Sequence, residues 1–135
     1  MNEILILKEG RGKIKEPRDL FLKIKKINID YSQENFLVVF LDTKNKFLGC
    51  ENIFKGGLNA CLICPKTLFK RALLNNSDKI IIAHNHPSND LKPSSEDIQI
   101  YKQLKEGGSI LNLNVIDSII FNKKEFYSLN NEVLK

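Results

Sequence analysis

The chain's two histidines fall in a single tripeptide, His84-Asn85-His86, directly behind the apolar run Ile80-Ile81-Ile82-Ala83. In an extended backbone, residues at i and i+2 point to the same face, so the two imidazoles converge on one point. Imidazole is a common metal ligand and the usual proton carrier near neutral pH, so a converging pair at a strand end points to a metal site. Pro87-Ser88-Asn89-Asp90 supplies the loop beyond it, and the full spacing is His-x-His, seven residues, Ser94, two residues, Asp97. Two imidazoles and a carboxylate leave the fourth position of a tetrahedral zinc open for water, the arrangement a catalytic site needs. A separate carboxylate is still wanted to accept and return a proton. Ser94-x-x-Asp97 ahead of an apolar helix is also a capping box, in which Ser caps the helix and the acid reaches back to the cap amide. Capping accounts for both residues but leaves the paired histidines unexplained, and Ser94 can serve both purposes.

These groups need a buried strand, a loop and a helix start to carry them, and the apolar pattern supplies each. Strand 79–84 carries the histidines, and Ser94 opens a helix to about Lys105, ended by Gly107-Gly108. Upstream, Pro17 at a first-turn position with Leu20, Phe21, Ile24 and Ile27 gives helical spacing over about 17–28. Phe36–Leu41 reads as a buried strand, Asp42–Asn45 as a turn, Lys46–Phe54 as a second strand, and Gly56-Gly57 as a break before a third at Leu58–Ile63. Pro65 opens a helix through Leu74, with Leu68, Phe69, Ala72 and Leu73 facing a core. Ile110–Val115, Ile116–Phe121 and Phe126–Leu129 read as short closing strands, and Ile4–Leu7 as a short extended piece. Hairpins with intervening helices argue for an α/β or α+β sandwich with a mixed sheet.

At 135 residues the chain fits one domain with one main core, and no apolar run approaches the roughly 18 residues of a membrane span. Met1-Asn2-Glu3-Ile4 lacks a basic region followed by a long apolar segment, so no secretory signal is read and a cytoplasmic location is expected. Cys50, Cys61 and Cys64 make an odd count, which suits a reducing compartment better than a disulfide framework. Cys61-Leu62-Ile63-Cys64 has the spacing of a redox pair or half a zinc site, but without a second pair these thiols read as structural or incidental. The formal charge of +5 is unevenly placed: residues 1–26 hold eight Lys/Arg against four acids, a local excess of +4. Such asymmetry can mark a nucleic-acid contact, here through Lys8, Arg11, Lys13 and Lys15. The preponderance of Lys over Arg, the better bidentate phosphate and guanine reader, favours a plain solvated arm over residues 1–15.

His84-x-His86-x7-Ser94-x2-Asp97 resembles the JAMM (MPN+) zinc metalloprotease motif. The wider His84-Asn-His-Pro-Ser-Asn-Asp90 with Pro93-Ser94-x-x-Asp97 resembles its RadC-like branch in particular. The similarity extends over about residues 16–131, through Glu34-Asn-Phe36, Val39 to Asn45, Gly57-x-Leu-Asn59, Pro65-x-x-Leu-Phe69-Lys-x-Ala-Leu73 and the Asp117/Ile119-Ile120 segment. The resemblance implies an α/β fold with a mixed sheet flanked by helices, related to the cytidine-deaminase architecture, over residues 16–135. It implies one zinc per chain on His84, His86 and Asp97, with Glu34 as general base and Ser94 steadying an oxyanion. Without it, Glu34 would be one of 16 acids, with no residue-level reason to single it out.

Two departures stand out. Asn89 takes a place where the family usually has Gly, and Asn tolerates the left-handed conformation, so the loop is expected to survive. Ser118 stands where a His commonly follows the final Asp, which removes no expected ligand but is expected to alter a substrate contact. Full-length members of the branch carry an N-terminal helix-hairpin-helix region without counterpart here, so the sequence resembles the short, stand-alone members. Other zinc chemistries do not match. A deaminase needs His-x-Glu with a later Pro-Cys-x-x-Cys, and the zincin His-Glu-x-x-His is absent. The reading is a zinc hydrolase that cleaves an amide or isopeptide bond in a peptide or isopeptide-linked protein. The rival, in line with the branch's DNA-repair label and the basic arm, is a DNA-associated module or a metal-dependent nuclease. A family label alone establishes neither.

Overall fold

Seven consecutive buried residues, Asn35–Leu41, make strand β1, and their side chains alternate between two separate apolar clusters. Phe36, Val38 and Phe40 join one, while Leu37, Val39 and Leu41 join the other. A strand apolar on both faces must be covered on both, which is why the sequence shows a continuous run and no alternation. β3 (Lys79–His84) behaves in the same way, with Ile80 and Ile82 on one side and Ile81 and Ala83 on the other. The computed structural model describes residues 12–55 and 64–130.

The described strands form one five-stranded mixed sheet in the order β2-β1-β3-β4-β5. β2 (Phe47–Lys55) and β3 each run antiparallel to β1 between them. β3 and β4 (Asn114–Phe121) are parallel, and β5 (Phe126–Ser128) closes antiparallel on β4. Helices α2 (Pro65–Leu74) and α3 (Ser95–Leu111) cover the face that carries Phe36, Val38 and Phe40. Helix α1 (Pro17–Ile24) covers the other through Leu20, Phe21 and Ile24. The result is the mixed α/β sandwich that the pattern and the resemblance led us to expect.

The elements differ from the sequence reading in specific ways. α1 stops at Ile24, because Lys26 and Ile27 fold back in short i→i−3 bonds to Lys23 and Ile24. α3 continues to Leu111, so Gly107-Gly108 does not end it. A Cβ on Gly108 would lie 2.1 Å from the Leu113 carbonyl oxygen, and one on Gly107 would lie 3.0 Å from the Phe69 ring. Close packing demands these glycines, and the stop is Asn112 in the left-handed conformation, φ 57°. Residues 114–121 form one strand where two were read; a bulge at Ile80/Ile81 in the pairing with β3 absorbs the break in alternation near Ile116. Leu73 is 56% exposed and leaves the α2 contact to Leu68, Phe69 and Ala72. The strand read at Leu58–Ile63 and the piece at Ile4–Leu7 lie outside the described residues.

The end of the segment read as an arm is attached. Lys13 bridges Lys46, the Phe47 amide donates to the Gly12 carbonyl, and Ile14 is buried in the α1-side cluster. Asp19 accepts from the Lys15 and Glu16 amides at 2.8 and 3.0 Å, fixing the entry into α1.

Candidate metal centre

β3 ends its apolar run at His84, 2% exposed, with the Phe36 ring of β1 stacked on it at 5.7 Å between centroids and 11° between planes. His86, two residues on, is half-buried and points the same way, its ring centroid 5.2 Å from that of His84. The start of α3 brings Asp97 between them. Its Oδ1 lies 3.0 Å from His84 Nε2 and its Oδ2 lies 3.0 Å from His86 Nε2. The capping box holds the carboxylate there: the Ser94 amide donates to Asp97 Oδ2 at 2.8 Å, and the Asp97 amide donates to Ser94 Oγ at 3.0 Å. That bond occupies a lone pair of Ser94 Oγ and leaves its hydroxyl hydrogen free to donate.

The donor set suits a metal ion. One atom from each of His84, His86 and Asp97 lies within 4.8 Å of the other two. His86 Nδ1 donates to the Asp90 carbonyl at 2.8 Å, because a carbonyl can only accept, and Nε2, 3.0 Å from Asp97 Oδ2, is the ring nitrogen turned to the centre. Among the described residues, neither ring nitrogen of buried His84 has a partner in hydrogen-bond geometry, despite Asp97 Oδ1 at 3.0 Å from Nε2. A buried imidazole left so is costly unless something else binds it. Burial alone would push the Asp97 carboxyl up, yet the two histidines and the Ser94 amide hold it well below the usual carboxylate range. The Asp97 carboxylate raises His86, opposed by burial and helped by the Asp90 carbonyl and the Glu34 charge.

Glu34 stands half-buried one residue before β1. Phe36 pairs with His84 and the Asn85 amide reaches the Asn35 carbonyl, so the continued register sets Glu34 opposite His86, on the same face. An amide network that the sequence reading did not find holds this junction. The side-chain oxygen of buried Asn85 accepts from the Asn35 amide at 2.8 Å and from Asn35 Nδ2 at 3.1 Å, while Asn85 Nδ2 donates to the Gln33 carbonyl at 2.9 Å. Asn52 of β2 adds a bond to Asn35 Oδ1. The available signal was position: a residue between two histidines that share a face must point to the other face.

Asn89 has φ 66°, the left-handed conformation expected of it. Ser118 is wholly buried beside Ile82. Lys13 and Lys15 are exposed near the β1–β2 turn, at the end of β1 where Leu41 pairs with Lys79. That is the far end from Phe36 and His84, roughly 20 Å away along a strand rising about 3.3 Å per residue. Lys8, Arg11 and Cys61 lie outside the described residues. Cys50 is buried and Cys64 exposed, and neither is in the cluster. No helix among the described residues is long and apolar enough to cross a membrane.

Residues 14–134 match the family model described as RadC-like JAB domain. A UPF0758 protein of Clostridium botulinum (strain Eklund 17B / Type B) is 44% identical over 117 residues, covering 87% of this chain and 51% of that protein. A UPF0758 protein of Methanosarcina mazei is 37% identical over 126 residues, covering 93% of this chain and 55% of that one. A UPF0758 protein of Desulfitobacterium hafniense (strain DSM 10664 / DCB-2) is 41% identical over 119 residues, 88% of this chain and 52% of its own length. The chain thus spans about half the length of the curated relatives it matches.

Proposed function

The chain belongs to the RadC-like JAB-domain family, and on that premise we propose that it is a zinc-dependent hydrolase cleaving an amide or isopeptide bond. The observation that carries the reading is Asp97, which presents one oxygen to each Nε2 of His84 and His86 while neither ring nitrogen of His84 has a partner in hydrogen-bond geometry among the described residues. His84, His86 and Asp97 would hold the ion, and zinc there would supply Lewis acidity toward a carbonyl oxygen and an acidified water. Glu34, across from His86, takes a proton from the attacking water and returns it to the departing amine nitrogen. The new bond joins the water oxygen to the carbonyl carbon, and the C–N bond breaks to give a carboxylate and an amine. The Ser94 hydroxyl donates to the carbonyl oxygen as negative charge gathers on it, while its lone pair stays with the Asp97 amide.

The rival reading, a DNA-associated module or nuclease, rests on the basic residues at 1–26. Lys13 and Lys15 lie at the opposite end of β1 from the cluster, so they do not lead a phosphate backbone to it. The test is Glu34→Gln compared with His84→Ala. Metal analysis of untagged protein should give about one zinc per chain in wild type and in Glu34→Gln, and none in His84→Ala. Hydrolysis of a peptide pool, read by mass spectrometry, should fall about 10²–10⁴-fold in Glu34→Gln. Equal metal content in wild type and His84→Ala removes the centre; zinc lost in Glu34→Gln makes Glu34 a ligand and not a base.

A further inference from the structure

Beyond the carboxyl ends of β3 and β4, the parallel neighbours of the sheet, lies a crevice of about 540 Å³. Ligands of open α/β sheets collect outside such ends, where the segments leaving two parallel strands diverge. Pro87 and Asn89, one and three residues past His86, form one wall. Asn122, Lys123 and Lys124 of the β4–β5 turn form another, and Tyr31 and Ser32, just ahead of Glu34, complete it. Asn122 clamps the walls together: its Oδ1 accepts from the Lys124 and Glu125 amides at 2.8 and 2.7 Å, and its Nδ2 donates to the Asn89 carbonyl at 3.0 Å. The Lys123 ammonium rests 5.4 Å above the Tyr31 ring, which meets Phe121 edge-on at 6.0 Å. The crevice is thus braced on both sides before anything enters it.

Its charge has one sign. Two lysines line it and no acidic residue does. Two of the acids close by in the chain are engaged locally: Asp30 Oδ1 takes the Ser32 amide and hydroxyl, and Asp90 Oδ1 takes the Lys92 amide, while Glu34 and Glu125 flank the lining segments without lining the crevice. Neither Lys123 nor Lys124 has an ion-pair partner among the described residues. Pro87 follows a ligand of the cluster directly, and an extended peptide advances about 3.3 Å per residue. A side chain in the crevice would therefore belong to a residue next to the bond presented at the cluster, or one further along.

We propose that this crevice is a subsite for an acidic side chain, a Glu or Asp one or two residues from the amide to be cleaved, in an extended peptide. The proposal rests on the amide-hydrolase reading above. A nucleic-acid backbone would ask for a run of cations along its path. The crevice offers two lysines and no guanidinium fork, which suits one carboxylate.

The experiment uses the full chain loaded with zinc, and blocked Ala-based pentapeptides carrying one Glu or, in its place, Gln. Binding is read by amide chemical-shift changes and cleavage by mass spectrometry. The Glu peptide should bind about five- to tenfold more tightly than its Gln twin, the scale of two partly exposed ion pairs, and the preference should shrink with salt. Shifts should centre on Ser32, Asn89, Lys123 and Lys124. The preference should vanish in Lys123→Gln/Lys124→Gln, whose melting temperature and zinc content match wild type. Equal binding of the two peptides, a preference that survives the double substitution, or an oligothymidylate that displaces the Glu peptide from the same residues would each overturn the subsite. A Glu preference without cleavage leaves the subsite standing and removes the hydrolase reading; cleavage without a preference does the reverse.

Discussion

Ser94→Ala separates two roles that a single oxygen is asked to play. The substitution deletes the acceptor for the Asp97 amide, a 3.0 Å bond, but keeps the Ser94 amide that donates to Asp97 Oδ2 at 2.8 Å. The carboxylate therefore keeps its backbone donor, and zinc content should be unchanged. Loss of a Ser N-cap costs about 1 kcal/mol. At about 2.1 cal/mol/K per residue, the unfolding entropy of this 135-residue chain is roughly 0.28 kcal/mol/K, so the melting temperature should drop by about 3–4 °C. If the hydroxyl also donates to the carbonyl oxygen of the bond under attack, its removal raises the barrier by about 2.7–4 kcal/mol, a rate loss of roughly 10²–10³-fold. The assay is calorimetry, metal analysis and the initial rate on any peptide cleaved in a Glu34-dependent manner. A lower melting temperature with a wild-type rate would leave Ser94 as a cap alone. An unchanged melting temperature would refute the capping energetics themselves.

Asn85→Ala strips the buried Asn35 amide of its acceptor and should cost about 1–3 kcal/mol in urea unfolding, with zinc retained and hydrolysis reduced because Glu34 loses its anchorage; loss of zinc would place Asn85 in the metal site itself. Gly108→Ala should destabilise by about 1–3 kcal/mol through overpacking, since the new Cβ meets the Leu113 carbonyl oxygen at 2.1 Å, whereas helix propensity alone favours Ala by about 1 kcal/mol; a raised melting temperature would decide against the packing argument. Asp117 is raised, chiefly by burial and against the bonds from Ser128, Asn130 and Ser118. A carboxyl whose folded value lies above its unfolded one gives stability that is present below the unfolded value, near 3.9, and lost as pH rises through the folded one. Urea midpoints should thus fall for wild type relative to Asp117→Asn between pH 3.5 and 7, and a constant difference would contradict the shift.

The cluster of His84, His86 and Asp97 was legible because its logic is local: i, i+2 on a strand end and a capping box whose acid lies thirteen residues along need no knowledge of the rest of the chain. β1, β3 and α2 were legible for a similar reason, as long apolar runs or a proline at a helix start. What failed depended on distant partners. Gly107 and Gly108 carry the composition of a helix end, and only the approach of Phe69, Leu113 and Val115 shows why they sit inside one. The division of 114–121 misread a bulge that exists only in the pairing with β3. The tie between Asn35 and Asn85 spans 50 positions and leaves no periodic trace. Glu34 was reached through family resemblance and not from its own neighbourhood in the chain, because its setting is created by β1 pairing with β3.

That pairing has a consequence for the order in which the site comes into being. His84, His86 and Asp97 belong to one contiguous strand, loop and helix start, and closing so short a segment has a low entropic barrier that grows only slowly with length. Glu34 arrives from a hairpin whose nearest ligand lies 50 residues downstream, a slower kind of contact to make. Gathering an ion and delivering the proton acceptor therefore need different amounts of finished structure. If the proposed function holds, a nascent or partly unfolded chain collects metal while it is still inert, and acquires its cutting capacity only when the sheet zips shut.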